Sequence, residues 1–313
     1  MKKDRIPGPV FALLSAVFFS TGGLFMKLIS WNALALNSFR TIVAELAIYA
    51  LLKATGHPIR ITKAVLIGGF CTSATNTLYT FANKLTTAGN AIILQYTAPI
   101  FVMIWSALFL KQRAVRSDKI SCAFVLGGVA CFFVDSLTAG NALGNLLAVC
   151  SGAFYAVVFM MNSMEGGDPL CSVFLGNLVS IVIGFPFIFQ EDLAGTAPGT
   201  WIAMIAMGIF QLGCGYIFLT LSLRTTPPLA ACLISSLEAI LNPIWVAIFT
   251  GEMLTPLSIL GAVIVFVSIT VYNASKIKKP DPPQQHSHGG GGGGSTMHMS
   301  SSGRSHGGHS GSF

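Results

Sequence analysis

Charge is what this chain has least of. Only 9% of its 313 residues are charged, 18 Lys and Arg against 11 Asp and Glu, where a soluble domain carries about 25%. So small a polar complement cannot cover a water-facing globule of this length. Catalytic signatures are also missing. The chain has no Walker loop and no H-E-x-x-H, and its G-x-S-x-G match, Gly303-Arg304-Ser305-His306-Gly307, falls in a Gly/Ser/His-rich tail rather than after an apolar strand, so ATP does not drive it directly and no motif marks a zinc-protease or serine-hydrolase centre. An acid–base enzyme embedded in the membrane would need a converging pair of groups, and only Glu45 and Glu238 reach the apolar interior. Seven cysteines (Cys71, Cys122, Cys131, Cys150, Cys171, Cys214, Cys232) contain no C-x-x-C pair, and no histidine lies near them at metal-ligand spacing. They read as small buried apolar residues, and neither a metal nor a cofactor is expected.

What the chain has instead is long apolar runs. Hydrophobic residues make up 53% and mean hydropathy is +0.72. A membrane-spanning helix needs about 20 mostly apolar residues, and ten stretches meet that need, near 9–28, 33–52, 63–82, 88–110, 119–136, 143–163, 170–189, 199–222, 229–250 and 256–274. The loops between them are short. The sequence therefore predicts an all-α membrane protein of ten transmembrane helices, with no stretch left over for a soluble catalytic domain. The first run follows a basic segment as a signal peptide would. It is too long for an h-region and lacks a clear cleavage site, so it is expected to stay as the first helix.

The net charge of +7 could suggest a nucleic-acid partner, but the distribution points to a membrane. Lys2, Lys3, Arg5, Lys53, Arg60, Lys63, Lys111, Arg113, Arg116, Lys119, Arg224, Lys276, Lys278 and Lys279 fall on one side of a ten-helix arrangement, 14 of the 18. The other side has Lys84, with Lys27 at its edge. Excess Lys and Arg in short loops marks the cytoplasmic side. Both termini are expected in the cytoplasm of a multi-pass inner-membrane protein, with lipid and a small-molecule solute as partners and no nucleic acid. Residues 280–313 change character to Pro, Gly, Ser and His, with five of the six histidines. Such a segment cannot bury a core and reads as a flexible tail open to adventitious metal binding.

The chain also repeats itself. Gly8, Ala12, Ser15 and Phe18 recur as Gly144, Ala148, Ser151 and Phe154; Thr86 and Thr87 recur as Thr225 and Thr226; Phe109 and Gln112 match Phe249 and Glu252. The offset stays between 136 and 140 residues. This divides the chain into repeats 1–136 and 137–279, followed by the tail 280–313. Five helices is an odd number, so the second repeat enters the membrane inverted, as in secondary transporters that bind solute near the midplane between halves.

The run Leu94-Gln95-Tyr96-Thr97-Ala98-Pro99-Ile100-Phe101-Val102, closed by Phe109-Leu110-Lys111-Gln112-Arg113, resembles the fourth helix of the EamA family of the drug/metabolite transporter superfamily. Leu237-Glu238 through Asn242-Pro243 to Gly251-Glu252 resembles its ninth helix, Gly127, Gly128 and Gly261 match its glycines, and Arg40 matches an arginine of its second helix. Gln112 stands where the family often has glutamate, and Glu238 is followed by Ala239 where the family often has proline. The resemblance covers about 6–278. It implies export of a small metabolite such as an amino acid, and a central cavity lined by the first, third, fourth, sixth, eighth and ninth helices, with the second peripheral.

Ionisable groups inside spans are functional candidates by default. Glu238, near mid-depth in the ninth stretch, is the candidate for cation binding or proton coupling. Asn76, Tyr79, Gln95, Tyr96, Tyr155, Gln211, Tyr216 and Asn242 are the candidate substrate-binding residues; Asn162 belongs to the same polar set. Arg40 and Glu45 are five residues apart and so cannot form an ideal i,i+4 pair; both are expected in structural pairing. Asp135 and Lys27 read as interfacial. Pro99 and Pro243 are expected to kink their helices. The sequence thus predicts a secondary transporter working by alternating access, as a monomer or homodimer. The alternatives are a carrier of an organic or quaternary ammonium cation, an embedded enzyme, or a sensor.

Overall fold

Helices fill every one of the ten apolar stretches in the computed structural model, but three of the stretches are interrupted. The structure describes residues 7–86, 88–133, 142–250 and 256–277, all within one compact unit, Met1–Lys278. Asp135, Glu252, the repeat boundary at 136/137 and the tail 280–313 lie outside the described residues. The elements are α1 (Gly8–Phe19), α2 (Gly22–Leu28), α3 (Ala33–Thr55), α4 (Lys63–Leu85), α5 (Ala88–Gln95), α6 (Ala98–Phe109), α7 (Arg116–Phe133), α8 (Ala142–Met160), α9 (Pro169–Ile188), α10 (Pro198–Ala206), α11 (Gly215–Leu223), α12 (Pro228–Ser235), α13 (Leu237–Thr250) and α14 (Pro256–Ile277). A 3₁₀ turn, Met161–Ser163, ends α8, and a π-helical segment, Met207–Cys214, joins α10 to α11. Among the described residues there is no strand.

Local chemistry sets the ends. Asn32 Oδ1 accepts from Ala35 N at 2.9 Å to start α3, and Thr62 Oγ1 accepts from Val65 N at 3.1 Å to start α4. Such caps satisfy amide donors that the first turn leaves free. Proline at the first helical positions starts α9, α10 and α12. Gly56, in the left-handed region at φ 61°, closes α3.

Five segments are long and apolar enough to cross a membrane: Ala33–Thr55, Ala91–Phe109, Ala142–Ser163, Pro169–Ile188 and Pro198–Leu223. Shorter apolar helices accompany them, among them Gly8–Phe19, Pro228–Asn242 and Ile259–Tyr272. The outward faces are apolar: Phe70 is 61% exposed, Ile202 69% and Val182 74%. A water-soluble fold would not leave large side chains so bare. Inside, α3 packs on α9 and the π segment, α4 on α8 and α9, α7 on α14, and α1 on α11 and α12.

The interruptions carry hydroxyls. The first stretch breaks at Ser20 and Thr21, whose hydroxyls donate to Val17 O at 2.6 Å and Phe18 O at 2.8 Å. The fourth breaks at Tyr96 and Thr97, where Thr97 donates to Leu94 O at 2.7 Å. The ninth breaks at Ser236, which donates to Cys232 O at 3.2 Å. Hydroxyls bonded to nearby carbonyls compete with the helix ladder and bend it. Pro99 sits just after its break, as the kink expectation required. Pro243 does not: α13 runs through it, and the discontinuity lies seven residues earlier at Ser236. Tyr96 and Ser236 are 140 residues apart, so the two central breaks recur at the repeat offset.

Loops meet in consistent pairs. On one face, His57 Nε2 lies 2.6 Å from Asp168 Oδ2 and Thr62 Oγ1 donates to Gly166 O at 2.7 Å. On the other, Asn32 N donates to Glu191 Oε1 at 2.8 Å and Thr86 Oγ1 to Asn145 Oδ1 at 2.9 Å.

Candidate functional site

The polar side chains of this apolar molecule converge where the breaks and the π segment lie. α4 carries Thr75, Asn76 and Tyr79 on one face, since residues three and four apart share a helix side. α5 contributes Gln95 at its last residue, α8 Tyr155, the π segment Gln211, α11 Tyr216, and α13 Glu238 in its first turn. Together with Phe19, Arg40 and Leu212 they line a cavity of about 30 Å³, room for about two water molecules.

A π segment inserts an extra residue and often marks a functional site. Here it holds Gln211 opposite Arg40. Gly208 lets it lie close to α3: a Cβ at Gly208 would stand 2.8 Å from Arg40 O and against Val43.

Arg40 is 1% exposed and has no acidic partner; among the described residues the only ion pair is His57–Asp168. Its guanidinium is held by neutral acceptors. Nη2 donates to Thr80 Oγ1 at 2.8 Å, to Asn37 Oδ1 at 3.0 Å and to Asn76 O at 3.5 Å; Nε donates to Asn37 Oδ1 at 3.3 Å and Nη1 to Gln211 Oε1 at 3.3 Å. Arginine does not deprotonate in proteins, so the cavity wall carries a positive charge. Glu238 stands elsewhere in the same wall and accepts a short hydrogen bond from the Tyr96 hydroxyl. Tyr79 and Tyr216 lie within electrostatic range of both Arg40 and Glu238.

Neutral groups complete the lining. Tyr216 Oη donates to Asn76 Oδ1 at 2.9 Å, and Gln95 Nε2 donates to Ser151 Oγ at 2.9 Å, which donates on to Thr75 O at 3.1 Å. The other end of the Asn76 amide, Nδ2, is buried and has no partner among the described residues. A buried unsatisfied donor is rare and costly, and this one borders the cavity. Phe19 meets the Tyr216 ring edge-on at 5.2 Å between centroids.

Seven of the residues expected to bind or couple substrate therefore share one wall: Asn76, Tyr79, Gln95, Tyr155, Gln211, Tyr216 and Glu238. Tyr96 is fully buried behind Glu238 rather than on the wall. Asn242 lies one turn beyond Glu238, outside this lining, with its amide beside the backbone of Gly23 in α2. Asn162 is exposed in the 3₁₀ turn. Arg40 is the residue that sequence reasoning undervalued. It does not pair with Glu45, which accepts from Asn177 Nδ2 at 3.0 Å, and the second stretch is not peripheral at this point. An arginine in an apolar run with no acid one turn away, but with Asn37 three residues earlier, was the available signal.

The EamA-like transporter family matches residues 6–134 and 142–274. The chain is 23% identical over 277 residues to the pseudopaline exporter CntI of Pseudomonas aeruginosa, covering 86% of this chain and 96% of that one. It is 26% identical over 230 residues to the threonine/homoserine exporter RhtA of Escherichia coli, covering 69% and 75%. It is 24% identical over 295 residues to human solute carrier family 35 member G1, covering 85% and 79%. A solved crystal structure shares the fold at TM-score 0.72 with 14% identity, over 87% of this chain and 98% of that one. With both halves matched and its outer surface apolar, the chain belongs to the EamA-like transporter family and is a multi-pass membrane transporter, not an enzyme.

Proposed function

We propose that this transporter exports a small zwitterion, an amino acid or a compound built like one, across the inner membrane by alternating access. One observation carries the reading: a guanidinium without an acidic partner, Arg40, and a carboxyl, Glu238, share a single buried cavity. A substrate carboxylate suits the planar fork of Arg40. A substrate ammonium suits Glu238 and the tyrosine ring faces around it. Asn76 Nδ2 adds a donor with no other use among the described residues. An organic cation would meet Arg40 as a like charge, which counts against that reading. Relatives named as exporters, one of them of threonine and homoserine, support both direction and class.

In this reading the ten stretches are ten spans in two inverted five-helix repeats, 1–136 and 137–279, with both termini cytoplasmic. These contacts support it, because each joins loops or helix ends that a ten-span path puts on the same side. So does the recurrence of the breaks at Tyr96 and Ser236. A cavity of about 30 Å³ is far below the several hundred Å³ of a ligand pocket, so alternating access in this reading requires it to widen to admit substrate. Glu238 serves as the proton-coupling group. One chain supplies both halves of the pathway, so a monomer suffices.

Counterflow in proteoliposomes with a labelled neutral amino acid tests the reading. Competition by unlabelled amino acids, with little from the matching amino acid amides or from quaternary amines, is the expected result. Competition by quaternary amines alone would overturn it.

A further inference from the structure

The face that carries the His57–Asp168 contact holds a second constellation, unrelated to the cavity. His57 follows the left-handed Gly56 at the end of α3, Asp168 caps α9, and Cys171 lies in the first turn of α9. A ring nitrogen of His57, a carboxylate oxygen of Asp168 and Cys171 Sγ all lie within 4.8 Å of one another. His57 and Cys171 are 114 residues apart in sequence, so spacing rules could not bring them together; the fold does. We propose that His57, Asp168 and Cys171 form a zinc site with one open coordination position, joining the two family-matched halves of the chain.

The donor set fits. Zinc takes imidazole nitrogen, carboxylate oxygen and thiolate sulfur at about 2.0–2.3 Å, and three protein ligands plus a solvent molecule complete its tetrahedron. His57 Nε2 and Asp168 Oδ2 now lie 2.6 Å apart. Holding a metal requires them to open to about 3.3 Å, as tetrahedral geometry at those bond lengths dictates, a small side-chain adjustment. The sulfur lies within 4.8 Å of both the ring nitrogen and the carboxylate oxygen. It accepts from Arg60 N at 3.5 Å and lies 3.6 Å from Pro58 O, to which its proton points. Backbone amides that donate to a sulfur support its thiolate, and supporting contacts of this kind orient metal ligands. Asp168 is fixed through its other oxygen, which accepts from Leu170 N at 3.0 Å and Cys171 N at 3.1 Å.

Access is asymmetric. His57 and Asp168 side chains are 27% and 15% exposed while Cys171 is buried, so an ion enters past the ring and the carboxylate and meets the sulfur last. Uptake releases the thiol proton.

Cobalt(II) titration of the full-length protein in detergent tests this. Thiolate ligation to cobalt gives a near-ultraviolet charge-transfer band, and a tetrahedral site gives intense visible bands. The five tail histidines cannot mimic the first, because residues 280–313 contain no cysteine. The wild type is expected to show both bands and lose them on adding Zn²⁺. Cys171→Ser is expected to lack the charge-transfer band. His57→Gln, at a partly exposed position, is expected to weaken binding by about 100-fold or more, at least the loss that an outer-shell change produces. Metal-free thermal unfolding of Cys171→Ser, matching the wild type, excludes misfolding as the cause. Absence of the charge-transfer band in the wild type, or its persistence in Cys171→Ser, would overturn the proposal.

Discussion

The Tyr96 hydroxyl donates to Glu238 Oε2 across two of the three interrupted stretches of the molecule. Tyr96 lies in the break between α5 and α6, and Glu238 two residues past the break at Ser236. The contact thus joins the broken segment of each half at the edge of the cavity. Tyr96→Phe removes the donor and little else. Losing a hydrogen bond to a buried carboxyl costs about 1–3 kcal/mol, so the melting temperature should fall by a few degrees. If Glu238 is the coupling group, the pH profile of transport should shift in Tyr96→Phe and flatten in Glu238→Gln. Proteoliposome transport measured across pH checks both, and a profile unchanged in Glu238→Gln would remove Glu238 from coupling.

Arg40 makes a sharper prediction about specificity. Its guanidinium reaches α3, α4 and the π segment at once through Asn37, Thr80 and Gln211. Lysine carries the charge but not the fork, and cannot reproduce those contacts. Arg40→Lys should raise the KM for an amino acid by about ten- to a hundredfold, the loss of one charged hydrogen bond. Discrimination is the diagnostic readout. In the wild type an amino acid should outcompete its amide, and in Arg40→Gln that preference should vanish. If the preference persists, the substrate carboxylate binds elsewhere.

Asn76 offers a test that separates binding from folding. Its Oδ1 already accepts from Tyr216, while Nδ2 is buried without a partner among the described residues. Asn76→Asp keeps the shape and the acceptor, replaces the donor and adds an acidic group to the wall that holds Arg40. Affinity for a zwitterion should drop at least several-fold, because a carboxylate group would now meet oxygen instead of N–H. Binding isotherms in detergent, paired with thermal unfolding, report the two effects independently.

The composition of the cavity was legible because polar residues are scarce in this chain. Asn76, Tyr79, Gln95, Tyr155, Gln211, Tyr216 and Glu238 stand out against apolar neighbours, and a buried polar group must meet another. Arg40 was visible as a charge inside an apolar run, but its contacts with Thr80 and Gln211 lie on other elements, beyond the reach of i,i+4 reasoning. The hydroxyls at Ser20, Thr21, Thr97 and Ser236 mark the breaks, yet serine and threonine also sit inside unbroken α4 at Thr72 and Thr75. The π segment left only a cluster of glycines, Gly208, Gly213 and Gly215, which fits close packing equally well. His57 and Cys171 carried no mutual signal, because only the packing of α3 on α9 brings them together.

Those glycines yield the last prediction. The π segment reaches Arg40 because Gly208 lets its backbone approach α3. A Cβ there would stand 2.8 Å from Arg40 O and crowd Val43. Neither the carbonyl, held in a helix, nor a β-branched side chain can yield easily, since χ1 of valine is stiff. Gly208→Ala should therefore destabilise by about 1–3 kcal/mol through overpacking, despite the better helix propensity of alanine. Separation of the π segment from α3 would lengthen the Arg40–Gln211 contact and loosen the wall on that side. Gly127→Ala is the matched control, because a Cβ there meets nothing within 4 Å, and it should be neutral or slightly stabilising. Thermal unfolding of the two variants, with KM for each, decides the matter. Equal stability would mean that α3 and the π segment are not held at the close approach that puts Gln211 on Arg40.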